Sequence, residues 1–279
     1  MFLEVFRSRE LLFGLVKRDL KVRYKSSVLG FFWSIGKPLL LMGVLLIVFS
    51  IFFPLKIRNA GLPYALHLLP GILAWTYFTC ATMESLHSIL SNSNLIKKVK
   101  LPSEVFPISC VLSNLVHFLL ALIVLFAFMI VFRMRFSWAI LLLPIIIIIQ
   151  TIFLIGPSLL VSALNVFYRD VASILEILMM AWFYITPIFY PYYFVEQELG
   201  KIFKGFFVSI YLLNPMAVIA ITYRRILYAS VLSPPENIPE IPDIQLLKYL
   251  LLTIVTSSLF LIFSYYIFKN LSKKFADEL

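Results

Sequence analysis

Glu84 and His87 stand three residues apart, close enough on a helix to share one face. Such a pair supplies half of a carboxylate-bridged metal site, which needs a second Glu-x-x-His and two further carboxylates. The sequence offers no second pair, so no metal centre is expected. Gly30-Phe-Phe-Trp-Ser-Ile-Gly36-Lys37 looks like a phosphate loop, but the chemistry fails. Its glycines are separated by five residues rather than four, and Pro38 stands where Ser or Thr must hold magnesium. No Ser-His-Asp arrangement or paired acidic motif suggests catalysis. His117 and Gln150 are isolated polar residues in apolar runs, suited to hydrogen bonds between helices. Glu84 and Glu176 are charges near the ends of such runs, and Lys37 is a candidate partner for either. The alternative is that each reaches the membrane surface separately.

The elements that must place these residues belong to a membrane protein. Of 279 residues 62% are hydrophobic and 14% charged, against about 45–50% apolar content in soluble domains. Six apolar runs read as spans: 31–53, 64–90, 107–132, 138–164, 172–190 and 246–268. The net charge of +10 therefore speaks first to topology. Lys17, Arg18, Lys21, Arg23 and Lys25, then Lys97, Lys98 and Lys100, then Arg169, then Lys269, Lys273 and Lys274 fall on one side, which places both termini in the cytoplasm. No small-residue cleavage site follows a short apolar stretch near the start, so no cleavable signal is expected. Cys80 and Cys110 form no disulfide framework. No cytoplasmic segment has the hundred or more residues of an ATPase domain.

The expected fold is all-α, one transmembrane domain over 1–279. It divides into a cytoplasmic interface helix (1–30), spans one to five (31–190), an outer region (191–245), and span six with a cytoplasmic tail (246–279). In the outer region, 202–213 and 216–228 are apolar but each too short to cross. Two short re-entrant helices turning at Asn214-Pro215 fit the charge pattern. A single kinked seventh span is the competing topology. Broken backbone at membrane depth must be covered by protein or line a wet cavity.

Residues 9–25 lack a strong breaker and predict an amphipathic helix. Glu10, Lys17, Arg18, Lys21 and Lys25 share one arc, opposite Leu12, Leu15 and Leu20. Asp19 and Arg23 sit four apart on the apolar side, where they can pair, or dock a partner or the second span. Aromatic residues cluster near span ends, as at Trp75, Tyr77 and Phe78, or Trp182 and Tyr184. They suit an interfacial belt, or a conduit whose rings stack on sugar faces.

RDLKVRYKSSVLGFFWSIGKPLL (18–40) resembles the entry motif of ABC type-2 permeases that export polysaccharides. The likeness continues in order through LPSEVFPISCVLSNLVHF (101–118), LNVFYRDV (164–171), TPIFYP (186–191) and LNPMAVIAITYRRIL (213–227). The resemblance implies the membrane subunit of an ATP-driven exporter, not an enzyme. It implies six spans, a homodimer in the cytoplasmic (inner) membrane, and two separate ATPase subunits that bind ATP and magnesium. This chain itself would bind no cofactor. The substrate would be a lipid-pyrophosphate-linked glycan, O-antigen first, with teichoic acid, capsule or a small lipid or drug as alternatives. A membrane-embedded glycosyltransferase or polymerase is the competing class. By resemblance, Arg18, Asp19, Arg23, Tyr24, Ser103 and Glu104 contact the ATPases, as do Arg169 and Asp170. Lys17, Lys21 and Lys25 would gather the pyrophosphate lipid. Gly30, Trp33 and Lys37 would form an elbow between interface helix and span one. Trp75, Tyr77, Phe78, Trp182 and Tyr184 would line the conduit, and Asn214, Pro215 and Arg224 would gate its outer mouth.

Overall fold

A computed structural model of the chain describes residues 8–25, 36, 40–41, 43–44, 47–48, 62–99, 101–131, 138–190, 192, 195, 210–228 and 243–279. Span one and the proposed elbow at Gly30, Trp33 and Lys37 therefore lie largely outside the described residues. The described elements are helical. They are α1 (Arg9–Lys25), α2 (Leu62–Ser91), α3 (Ser93–Lys98), α4 (Val105–Val131), α5 (Leu143–Phe167), α6 (Val171–Ile185), α7 (Pro215–Tyr228), α8 (Asp243–Ser272) and α9 (Phe275–Glu278). A 3₁₀ turn at Trp138–Leu142 leads into α5, with Pro144 in the first turn, where its missing N–H costs nothing.

Among the described residues, three helices are long and apolar enough to cross a membrane: Val105–Val131, Trp138–Phe167 and Ile244–Ser272. α2 has 30 residues and Pro70 within it. α6 has only 15 residues, about 22 Å at 1.5 Å per residue. The sequence predicts a span running to residue 190, but the helix stops at Ile185. Thr186 takes an extended ψ of 137°, as the residue before Pro187 must.

Among the described residues two main cores organise the bundle, beside a minor cluster of Leu212, Val218 and Leu246. The larger joins α2, α4, α5 and α7 around Phe78, Leu125, Ile146 and Tyr223. The smaller lies at the end carrying α1 and joins Leu12 and Leu15 to Phe106, Leu159 and Phe268. Outward faces remain apolar, as at Leu251, Val255, Leu259 and Ile262 on α8. In water that surface would drive aggregation, whereas in hydrocarbon it costs nothing.

The most extensive pairing is α5 against α8. Gly156 permits it, because a Cβ there would lie 2.9 Å from Phe260 Cδ1 and 3.5 Å from the Leu261 Cα. Small residues let membrane helices approach this closely. Gly156→Ala is expected to force the Phe260 ring aside at a cost of about 1–2 kcal/mol. The check is the thermal midpoint of the purified protein in detergent, which should fall.

Candidate functional site

The basic residues of α1 divide by face. Lys17 and Lys21 are exposed, while Leu12 and Leu15 are buried in the smaller core. The apolar side of α1 therefore meets protein along a narrow stripe, and Phe13 and Val22 point outward. Arg23 lies along that stripe. Its guanidinium pairs with Oε1 of Glu84 on α2. Glu84 Oε2 in turn accepts from Asn114 Nδ2 on α4 at 2.6 Å. Asn114 also donates to the Cys110 carbonyl at 2.9 Å, which fixes its orientation.

This arrangement corrects the expected Asp19–Arg23 pair. Asp19 accepts from its neighbour Arg18, with Nη2 at 3.1 Å, and Arg18 Nη1 reaches Asn92 Oδ1 at 3.1 Å. Arg23 goes to the second helix instead. A carboxylate 61 positions away, held by an amide, offers better geometry than a helix neighbour. Glu84 is thereby engaged by Arg23 and Asn114, and Lys37 lies outside the described residues. Glu176 is exposed on α6. Around the Arg23–Glu84 pair, α1, α2 and α4 enclose an open cleft of about 500 Å³ bordered by Arg18, Asp19, Asn92 and Ser109.

The other expected coupling residues are distributed differently. Arg169 and Asp170 are exposed in the turn between α5 and α6. Ser103 and Glu104 are buried, Glu104 to 2% exposure. The Glu104 carboxylate accepts from Lys269 Nζ at 3.2 Å and sits just ahead of α4, where the helix dipole favours negative charge. Glu104 therefore ties the end of α8 to the start of α4. Nothing is described for the side chains of Tyr24 and Lys25.

At the opposite end the Asn214-Pro215 turn is a hydrogen-bonded hub. Asn214 Oδ1 accepts from the Met216 N–H at 3.1 Å, capping α7, whose first residue is Pro215. The same oxygen accepts from Trp182 Nε1 at 2.9 Å, and Asn214 Nδ2 donates to Thr186 Oγ1 at 3.2 Å. Asn214→Ala removes the cap and leaves the Trp182 indole N–H without this acceptor. The expected loss is about 1–2 kcal/mol, checked by the thermal midpoint and by a change in tryptophan emission.

The backbone that follows α6 is held by two side chains that sequence reading did not connect to it. The Tyr190 hydroxyl is shared between the carbonyls of Tyr184 and Ile185, both at 3.0 Å, among the last four of α6 that have no helical partner. Arg224, 5% exposed, donates to the Ile188 carbonyl and to the Tyr190 carbonyl at 3.3 Å. Gly71 on α2 leaves room for that guanidinium, since a Cβ there would come within 3.2 Å of Nη2.

The aromatic set splits. Trp75, Tyr77 and Phe78 are buried, and their faces are covered by the subunit's own side chains. Tyr77 stacks on Phe118 at 5.1 Å, and Phe78 meets Trp75, Phe153 and Trp182 within 5.6 Å. Trp182 is partly buried, while Tyr184 is 67% exposed and presents its ring outward. Gln150 does bridge helices, donating to the Ala74 carbonyl at 2.8 Å.

Long apolar helices, apolar outward faces and a charged helix docked at one end mark a multi-pass membrane protein. Residues 10–228 match the family model of the ABC-2 type transporter, and the chain belongs to that family. It is a transport subunit, and the family implies an ATPase partner. It is similar to two proteins of Klebsiella pneumoniae, each described as O-antigen export system permease protein RfbA. One is 33% identical over 97% of this chain and 95% of the relative. The other is 32% identical over 90% of this chain and 91% of the relative. A protein of the same description from Myxococcus xanthus is 31% identical over 84% of this chain and 86% of its own length.

Proposed function

We propose that this chain is the permease subunit of an ATP-driven exporter that carries a lipid-linked O-antigen polysaccharide across the cytoplasmic membrane. The observation that carries the reading is similarity along nearly the whole chain to permeases named for O-antigen export. Two copies, each with six spans and both termini inside, would enclose the conduit. Two partner ATPases bind ATP and magnesium. Their closure moves α1 and α3, and the Arg23–Glu84–Asn114 network passes that movement to α2 and α4. Exposed Lys17 and Lys21, with Lys25, gather the anionic pyrophosphate lipid at the inner surface. Tyr184 faces the conduit. Asn214, Pro215 and Arg224 shape its outer mouth, where α6 has already ended and two short helices, 202–213 and 216–228, dip and return about the Asn214-Pro215 turn.

Deletion of the gene is the test. Lipid-linked polymer accumulating inside the cell, with none at the surface, supports export. A cell that makes no polymer at all points to a glycosyltransferase or polymerase. Normal surface O-antigen with loss of teichoic acid, capsule or a small lipid or drug efflux reassigns the cargo.

A further inference from the structure

The last residues of the chain complete the smaller core. Phe275 opens α9 and is 1% exposed. Its ring meets Phe268 edge-on at 5.6 Å and lies 6.1 Å from Phe167. Leu271 and Leu279 pack against the same cluster, together with Ile96 of α3. α9 itself touches α3 and α5. A four-residue helix has no stability of its own, so α9 exists because Phe275 is held. Lys269 and Glu104 anchor the stretch just before it.

α3 has the opposite character. It buries none of its six residues. Leu95 and Val99 are exposed, and Lys97 and Lys98 fall in its last turn. Lys273 and Lys274 are exposed in the turn before α9, and Asp277 and Glu278 are exposed on α9 itself. Any force applied to α3 would bend it at its two ends unless something lay behind it. What lies behind it is the smaller core, against which its own Ile96 packs, and α9.

We infer that the C-terminal tail, residues 269–279, is a working part of the surface that receives the partner ATPase. α9 braces α3 from behind and adds its own charged face beside it. The inference rests on the reading of α3 as ATPase-facing. The partner it fits is an ATPase subunit whose docking face carries carboxylates opposite the lysines and a basic group opposite Asp277 and Glu278. Exposed Leu95 and Val99 supply the apolar centre of the contact. A push on α3 then reaches α4 through Phe106, α5 through Phe167 and α8 through Phe268, rather than being lost in bending.

The test uses the full complex purified from native membranes through a tag on the N-terminus of the permease. ATPase recovered per permease is measured together with surface polysaccharide per cell. Lys97→Glu with Lys98→Glu tests α3 alone and should cut recovery about tenfold. Phe275→Ala should do the same, and Phe275→Leu should restore most of it. Asp277→Lys with Glu278→Lys alters only exposed groups, so it tests the tail even where Phe275→Ala lowers permease levels; it too should cut recovery severalfold. If the α3 variant loses the ATPase while the Phe275→Ala and Asp277→Lys, Glu278→Lys permeases keep it, the tail has no such part and the reading of α3 stands. If the α3 variant keeps the ATPase, the reading of α3 falls and this inference falls with it.

Discussion

Arg224→Leu is expected to cost the folded permease about 2–4 kcal/mol and to abolish export. The guanidinium is 5% exposed and serves backbone, with the carbonyls of Ile188 and Tyr190 as acceptors. Those carbonyls belong to a segment that left the helix at Ile185, so no helical N–H is available to them. Leucine is apolar and smaller, so it leaves both acceptors without this donor. Each such orphan costs about 1–3 kcal/mol in a site that excludes water. The segment 186–190 also carries Thr186 and Tyr190, so its displacement would disturb the Asn214 hub and the end of α6 together. Arg224→Lys should recover only part of the loss, because an ammonium lacks the planar fork that reaches two carbonyls at once. Gly71→Val should resemble a mild Arg224→Leu, since the new side chain invades the space of Nη2. The measurements are the thermal midpoint in detergent and surface polysaccharide. A midpoint unchanged in Arg224→Leu would mean that the carbonyls find other donors and that Arg224 holds nothing.

The existence of the helices was legible because runs such as Val105–Val131 are apolar almost throughout, with Asn114 and His117 as the marked exceptions. The end of α6 was legible too, in Thr186-Pro187, yet the apolar residues beyond it suggested a longer span. Which face of each helix turns inward was not legible. In water, apolar periodicity marks the buried face, but in a membrane both faces are apolar and the signal fades. Trp75, Tyr77 and Phe78 show the consequence. Their position along the chain fits a belt or a conduit, and their burial in the core depends on neighbours from α4, α5 and α6 that no local pattern reveals. Polar residues in spans were the better guide. Gln150 was expected to bridge helices and does so. Asn114 carried the same signal, an amide inside an apolar run, and its partner Glu84 was already singled out as a charge needing one. Arg224 was singled out for the outer mouth by resemblance, but its partners and the role of Tyr190 were not legible: both bind main-chain carbonyls, and a carbonyl leaves no trace in the sequence.

Breaking the Arg23–Glu84 pair is expected to lower export at least tenfold while leaving the amount of inserted permease nearly unchanged. The two side chains are 37% and 38% exposed, so the pair itself stabilises the fold by only about 0–1 kcal/mol. Insertion and folding should therefore survive Glu84→Gln or Arg23→Gln. Transmission is a different matter. α1 is held to the bundle by Leu12 and Leu15 near its start, by Arg18 through Asn92 in its middle, and by Arg23 near its end. Without Arg23–Glu84 the end of α1 beyond Arg18 is untied from α2, and under the proposed coupling a push from the ATPase would turn that end instead of moving α2. Asn114→Leu should give an intermediate loss, since it frees the Glu84 carboxylate without removing it. The decisive variant exchanges the charges. Arg23→Glu combined with Glu84→Arg should regain a substantial part of the export that either single change destroys. The same exchange between Lys37 and Glu84 should regain nothing, because Arg23 would then face a lysine. Rescue by the Lys37 exchange and none by the Arg23 exchange would transfer Glu84 to span one. Normal export in Glu84→Gln would remove this network from the path between ATPase and membrane.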